Sequence, residues 1–194
     1  MRYIGDIHAD LNLYLSARGD SKQSIQVGDF GFGFIPEKRL ENFNLDATNH
    51  RFIRGNHDDP AKAKAHVGFI PSGLENDTFF INGGWSIDRD YRVEGVSWWP
   101  EEEYSCQQLD NLVQEFTDSK PKVVVSHEAP YTVCHKFFNA RYPPGPSRTS
   151  QALENMLAAH IPEVWVFGHW HLRRDQVVNG TRFICLEPGG YIDL

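Results

Sequence analysis

The 194-residue sequence has few cysteines and no long apolar run. Its three cysteines, Cys106, Cys134 and Cys185, are widely spaced and form no CxxC pair, which argues against a disulfide framework. No apolar run approaches the roughly 20 residues that a membrane-spanning helix needs, and the first residues carry carboxylates where a signal peptide requires an apolar segment. We therefore expect a cytoplasmic protein with reduced thiols and no contact with a membrane.

Positively charged residues are outnumbered, because the sequence has 19 lysines and arginines and 26 aspartates and glutamates. The formal net charge is -7. A protein that coats nucleic acid carries a basic surface, so no extended nucleic-acid-binding surface is expected. The balance still allows a phosphate ester to bind at a local positive site. Residues 28–33, GDFGFG, lack the G-x-G-x-x-G spacing of a dinucleotide-binding loop. The oligomeric state cannot be predicted from these features.

Strand and helix patterns alternate along the chain, without an internal repeat, a low-complexity segment or a linker. The sequence therefore predicts a single domain over residues 1–194. Apolar, β-prone runs at 2–5, 24–28, 51–55, 122–127 and 163–169 predict strands, and runs at 10–18, 61–67, 105–116 and 150–160 predict helices. Asn82–Gly83 and Asn179–Gly180 predict hairpin turns. Early alternation followed by hairpins is typical of a layered α/β domain with mixed sheets.

Five of the predicted strands end in residues that can bind a metal ion or move a proton. These residues are Asp6 and His8, Asp29, the run Asn56-His57-Asp58, His127, and the pair His169 and His171. In open α/β sheets the carboxyl ends of the strands are where ligands bind. Two divalent ions about 3.5–4 Å apart can clamp a phosphoryl group, and a carboxylate can bridge them. The alternation in Asp6-x-His8 and His169-x-His171 would place both side chains of each pair on one face of an extended segment.

The ordered motifs GDIH, GD, GNHD, a later His and GHWH, over residues 5–171, resemble the signature of the calcineurin-like metallophosphoesterase superfamily. The resemblance implies an α-β-β-α sandwich of two mixed sheets flanked by helices, with a dinuclear metal site at the carboxyl ends of the strands. It implies one metal held by Asp6, His8 and His171, a second held by Asn56, His127 and His169, and a bridge through Asp29.

The same resemblance implies hydrolysis of phosphate mono- or diesters by a metal-bridging hydroxide that attacks phosphorus in line. His57 would give a proton to the leaving oxygen, Asp58 would orient or tune His57, and Asn56 would also touch a phosphate oxygen. Oxygen and nitrogen ligands suit Mn²⁺ best, with Fe, Zn²⁺ or Ni²⁺ as alternatives. The implied substrate is a small or nucleotide-like ester. A Ser/Thr-type protein phosphatase, and a catalytically silent scaffold of the same fold, are the competing hypotheses.

The stretch after Asp29 lacks the arginine that grips phosphate in the protein phosphatases of this superfamily. Arg54, before GNHD, matches another arginine of those enzymes and either contacts substrate or points outward to pair with a surface acid. Trp98 and Trp99 either stack on a base or sugar, or simply pack. Residues 135–149 predict a long loop around Pro-Pro-Gly-Pro, in which Lys136, Arg141 and Arg148 either clamp an additional phosphate or only keep the loop soluble.

Overall fold

The computed structural model describes residues 1–43, 45–138 and 146–194. Ten strands lie within this part of the chain: β1 (Arg2–Ile4), β2 (Ser24–Val27), β3 (His50–Ile53), β4 (Gly73–Glu75), β5 (Thr78–Ile81), β6 (Val123–Ser126), β7 (Val164–Phe167), β8 (Arg174–Val178), β9 (Thr181–Cys185) and β10 (Tyr191–Asp193). They form two sheets, so the strand–helix alternation of the sequence does not give one continuous sheet.

The first sheet has the order β10-β1-β2-β3, and the second has the order β4-β5-β6-β7-β9-β8. Strands β1, β2 and β3 are parallel to one another, and β10 is antiparallel to β1. In the second sheet β5, β6, β7 and β9 are parallel, while β4 and β8 add antiparallel edges. Both sheets are therefore mixed, as predicted.

Six helices are described: α1 (Leu11–Arg18), α2 (Glu37–Phe43), α3 (Pro60–Ala65), α4 (Cys106–Ser119), α5 (Tyr131–Phe138) and α6 (Arg148–Ala159). Their starts follow local sequence signals. The Asp10 and Asp59 carboxylates each accept hydrogen bonds from two backbone N–H groups of the first turn of α1 and α3. Ser105 and Gln108 form a capping box at the start of α4. Within the described residues, no helix combines the length and the apolar character needed to cross a bilayer.

Three apolar clusters divide the molecule into four layers. Ile25, Val27, Phe80 and Val166 belong to the cluster between the two sheets. A second cluster lies between the first sheet and the helices that follow β1, β2 and β3, and the third lies between the second sheet and α4, α5 and α6. Because neighbouring residues of one strand point to opposite faces, Phe79 and Phe80 belong to different clusters. The predicted α-β-β-α sandwich is confirmed.

The predicted hairpin at Asn82–Gly83 is wrong. Strand β5 continues into this pair but forms its hairpin with the preceding β4, across a turn in which Asn76 has φ 54°. The side chain of Asn82 is buried, accepts from the backbone N–H of Arg54 at 2.6 Å and donates to the carbonyl of Ile70 at 3.0 Å. The pair therefore ties the end of β5 to the end of β3. The hairpin at Asn179–Gly180, both with positive φ, is confirmed.

The predicted loop over 135–149 is wrong at both ends, because residues 135–138 belong to α5 and residues 148–149 to α6. Lys136 lies exposed on the last turn of α5, and Arg148 opens α6 with its Nε 3.6 Å from a carboxylate oxygen of Glu103. Arg141 and the rest of the Pro-rich stretch up to residue 145 lie outside the described residues.

Candidate active site

The carboxyl ends of β1, β2 and β3 in one sheet meet those of β6 and β7 in the other. This junction brings together all seven side chains predicted as metal ligands: Asp6, His8, Asp29, Asn56, His127, His169 and His171. They fall into two groups that have one residue in common.

The first group consists of Asp6, His8, Asp29 and His171, whose ligand atoms all lie within 4.8 Å of one another. The Nε2 atoms of His8 and His171 are 2.8 Å apart, and His171 Nε2 is 3.2 Å from a carboxylate oxygen of Asp6. Both carboxylates are buried, whereas the side chain of His171 is half exposed. The group therefore opens to the cleft on its His171 side.

The second group consists of Asp29, Asn56, His127 and His169. Asn56 Oδ1 lies 2.9 Å from His127 Nε2 and 3.0 Å from His169 Nδ1, and the two histidine nitrogens are 3.3 Å apart. His127 Nε2 is 3.4 Å from Asp29 Oδ1. Neighbouring ligands of an octahedral ion with bonds of about 2.1 Å are about 3 Å apart, so these spacings suit a small divalent cation.

The donor set of the second group also fits a cation. His127 Nδ1 lies 2.9 Å from the Val27 carbonyl, which can only accept, so this nitrogen carries a proton and Nε2 faces the group. Asn56 donates its amide N–H to Ser86 Oγ, which turns Asn56 Oδ1 inward. Acceptor atoms thus face one another, and a positive charge is needed among them.

A proton on His127 is one source of such a charge. Burial opposes the charged imidazole, but the Asp29 carboxylate outweighs it and raises the pKa of His127 to about 10. The pKa of Asp29 is held well below its usual range, because His127, His57 and His8 together outweigh the effect of burial. A cation entering this group would therefore displace a proton from His127.

Several of these residues occupy backbone conformations that most side chains avoid. His8, Asp29, His169 and His171 have φ angles of 43°, 58°, 68° and 53°. Left-handed backbone at non-glycine residues is uncommon and concentrates at functional sites. The expectation that Asp6-x-His8 and His169-x-His171 are extended is therefore wrong, because left-handed turns directly after β1 and β7 aim these side chains.

Two glycines make room for the carboxylates. A Cβ atom on Gly55 would lie 2.1 Å from Asp29 Oδ1, and one on Gly168 would lie 2.2 Å from Asp6 Oδ1. Neither distance is possible without displacing a carboxylate, so both positions require glycine. Gly168 of GHWH thus allows the close approach of the two sheets at the site, and Gly55 of GNHD lets the turns after β2 and β3 of the first sheet lie against each other.

Further carboxylates hold the predicted ligands from behind. Ser86 Oγ, which accepts from Asn56, donates to the buried carboxylate of Glu102. Glu128 Oε2 lies 3.2 Å from His169 Nε2, and Glu128 Oε1 accepts from Trp170 Nε1 at 2.8 Å. Carboxylates behind ligands fix their orientation and basicity. Ser86, Glu102 and Glu128 were not predicted from the sequence, although Glu128 directly follows His127.

The ring of His57 lies beside both groups and belongs to neither. Its backbone N–H donates to Asp29 Oδ1 at 2.7 Å, and its ring centroid is 5.1 Å from that of His8. An Nη atom of Arg92 lies 2.9 and 2.7 Å from the two ring nitrogens of His57. Burial lowers the pKa of His57 to about 4, and the charge of Arg92 acts in the same direction. Arg92 was also missed from the sequence.

Asp58 does not lie against His57, contrary to the expectation that it orients that ring. Its buried carboxylate accepts backbone N–H groups of Gly31 at 2.6 Å, Phe32 at 2.9 Å and Gly55 at 2.8 Å. It therefore holds the turn that follows Asp29 against the start of GNHD. Asp58 does not reach the His57 ring because adjacent side chains of this tight turn point in different directions.

Arg54 is neither outward-facing nor at the cleft, so both alternatives offered by the sequence are wrong. Its side chain is 1% exposed, one Nη atom donates to the Glu102 carbonyl at 3.0 Å, and the guanidinium lies over the ring of Tyr104. The residue packs beneath the site, between β3 and the segment that follows β5. A direct contact between Arg54 and substrate does not fit this placement.

Two cavities adjoin His57. The larger, of about 430 Å³, lies over the predicted metal ligands and has an apolar wall that includes Trp85, Ile87 and Trp170. The smaller, of about 230 Å³, is lined by His8, Gly31, Phe34, His57, Arg92 and Ser97. Trp98 and Trp99 line neither cavity, and Trp99 is buried against Phe34.

Comparison with solved structures gives similar folds at low sequence identity. A dimetal phosphatase from Danio rerio aligns with a TM-score of 0.57 at 15% identity, over 97% of this chain and 88% of that one. A phosphopantetheinyl hydrolase from Mycobacterium tuberculosis gives 0.51 at 13% identity, over 97% and 89%. An anchor in the inner membrane complex of Plasmodium gives 0.53 at 9% identity, over 97% and 72%. These likenesses show the fold alone.

No curated protein matched the sequence. The family model described as calcineurin-like phosphoesterase matches residues 3–173, which include all seven predicted metal ligands. With the motifs in order and their side chains converging on one junction, the chain belongs to the calcineurin-like phosphoesterases.

Proposed function

We propose that the protein is a dinuclear, metal-dependent phosphoesterase that hydrolyses small or nucleotide-like phosphate esters. The observation that carries this proposal is the position of Asp29, whose two carboxylate oxygens face different groups. Asp29 Oδ1 lies 3.4 Å from His127 Nε2, and Asp29 Oδ2 lies 3.8 Å from His8 Nε2. A carboxylate in this position is suited to bridge two cations.

Asp6, His8 and His171 would hold one cation and Asn56, His127 and His169 the other, with Asp29 shared. Two divalent ions so held supply charge that polarises a phosphoryl group and lowers the pKa of water. Oxygen and nitrogen donors without thiolate suit Mn²⁺, with Fe, Zn²⁺ or Ni²⁺ as alternatives. The half-exposed His171 leaves the cleft open to an ester arriving from the larger cavity.

His57 would protonate the leaving oxygen. Its low pKa reflects burial and the nearby charge of Arg92. A phosphate dianion beside the ring would favour the imidazolium and raise that pKa, because opposite charges stabilise each other in a buried site. The backbone bond from His57 N–H to Asp29 Oδ1 keeps the ring next to the predicted metal ligands.

The proposal is tested with the purified protein, depleted of metal and then loaded with Mn²⁺. Hydrolysis of p-nitrophenyl phosphate is compared with that of bis-p-nitrophenyl phosphate, and bound metal is counted by atomic emission. We expect two ions per chain and metal-dependent turnover of at least one ester. Turnover of neither ester at full metal occupancy would show a silent scaffold. The ratio of the two rates separates a monoesterase from a diesterase.

A further inference from the structure

The smaller cavity beside His57 is the place where the site can select its substrate by charge. Its lining contains one guanidinium, that of Arg92. Among the described residues that line the two cavities, Arg92 is the only lysine or arginine. The other arginine near the site, Arg54, is buried and turned away from both cavities.

Arg92 is held in place by contacts through both Nη atoms, one of them with a carboxylate that is open to water. One Nη donates to the Ser97 carbonyl at 2.9 Å, and the other lies 2.7 Å from Asp88 Oδ2 and against the His57 ring. The side chain of Arg92 is 13% exposed, whereas that of Asp88 is 45% exposed. Water can therefore solvate the Asp88 carboxylate if an anion takes its place beside the guanidinium. An anion in the cavity can therefore compete for the guanidinium.

The position of His57 fixes which part of a substrate would reach Arg92. On the proposed function, His57 faces the leaving oxygen, and the Arg92 Nη lies within 2.9 Å of its ring nitrogens. The guanidinium is therefore on the leaving-group side of the scissile bond, in the cavity that His8 also lines. A cavity of about 230 Å³ accommodates one phosphate group with its water, since a water molecule occupies about 30 Å³ of liquid.

We propose that this cavity is a subsite for a second phosphate, carried on the leaving group, and that Arg92 is its specificity-determining residue. The proposal rests on the proposed function and names the substrate class of the same site. In that class the terminal P–O bond breaks, water supplies the incoming oxygen, and the released product keeps a phosphate. Guanidinium pairs well with phosphate because its planar N–H groups match two phosphate oxygens.

Adenosine diphosphate and adenosine monophosphate form a matched pair of probes, because only the diphosphate leaves a phosphorylated product. Binding of each to the metal-loaded protein is measured by calorimetry, and kcat/KM is measured for each. We expect the native protein to favour the diphosphate by at least about tenfold, since hydrogen bonds to charged groups are strong. Arg92→Gln should reduce this preference to near unity, and Arg92→Lys should retain part of it.

Arg182→Gln is the matched control, because it removes the same charge from an arginine that also pairs with an aspartate, Asp175, but lines neither cavity. It should keep the full preference for the diphosphate. Equal losses for both nucleotides in Arg92→Gln would overturn the subsite and place Arg92 against the transferred phosphoryl group. An unchanged preference would also overturn it. Failure of the proposed function is seen separately, as absent turnover of both p-nitrophenyl phosphate and bis-p-nitrophenyl phosphate while nucleotide binding remains measurable.

Discussion

For the single residues of this cleft, the sequence predicts which side chains could bind a metal, but it does not predict their backbone conformations. The metal-binding residue types after five β-prone runs predicted Asp6, Asp29 and the histidines as neighbours. Their left-handed φ angles depend on the close junction of two sheets, which no local pattern records. Arg92 was missed for the same reason, because its contact with His57 spans 35 residues of sequence. Asp58 is adjacent to His57 in sequence, but its carboxylate binds backbone N–H groups and not the His57 ring.

The role proposed for His57 can be separated from metal binding, because its ring belongs to neither ligand group. His57→Ala should lower kcat by about 100-fold or more, as expected for loss of general acid catalysis. Its metal content should stay near that of the native protein. The measurements are steady-state kinetics with p-nitrophenyl phosphate and atomic emission on the same samples. The exposed His135 provides the control, and His135→Ala should change neither value. Loss of both metals in His57→Ala would contradict the assignment.

At the scale of elements, the segment from Trp85 to Tyr104 supports the site without supplying a predicted ligand. Ser86 and Glu102 fix the Asn56 amide, Asp88 and Ser97 hold Arg92, and Trp85 walls the larger cavity. The helix starts were predictable because Asp10, Asp59 and Ser105 act within their own first turns. The role of the 85–104 segment was not predictable, because its partners Arg54, Asn56 and His57 lie far away in sequence, between β3 and α3.

Removing the support behind Asn56 should weaken metal binding more than it weakens the fold. In Ser86→Ala the Asn56 amide loses its acceptor, so Oδ1 is no longer held toward His127. We expect metal affinity to fall by about 10-fold or more, as is usual when a residue behind a ligand is lost. Titration of metal-free protein with Mn²⁺ gives the Kd.

Glu101→Gln is the control for this titration, because Glu101 is exposed on the same short 3₁₀ turn as Glu102. It should bind Mn²⁺ as the native protein does. A Ser86→Ala protein with native Mn²⁺ affinity would show that the Asn56 amide is held by other contacts.

At the scale of the whole molecule, each ligand group draws on both sheets. His8 and His171 are 163 residues apart in sequence, yet their nitrogens are 2.8 Å apart. The two sheets and four layers followed from the order of strands and helices together with the family resemblance. The pairing of β10 with β1 could not be predicted from the sequence, because an exposed three-residue strand gives little local signal.

Since the acceptors of both groups come together only in the folded chain, metal removal should destabilise the protein. A ligand at 100 times its Kd contributes about 2.7 kcal/mol to the free energy of unfolding. At about 2–4 °C per kcal/mol for a chain of this size, EDTA should lower the Tm by about 5–10 °C. Differential scanning calorimetry with and without EDTA measures the shift. His127→Ala, which lacks a predicted ligand, should respond less. An unchanged native melting curve would count against the metal site.

The predicted metal ligands and some of the residues that line the cavities lie in different parts of the sequence, and this separation has an evolutionary consequence. The predicted metal ligands lie in residues 6–56 and 127–171, and the stretch from Ile87 to Ser97, with Ile87 on one cavity and Arg92 on the other, lies between them. Mutations in this stretch can change which ester is accepted without touching a predicted metal ligand. Proteins descended from one ancestor can thus come to accept different esters while they keep the same predicted metal ligands. Substrate range would then diverge faster than chemistry.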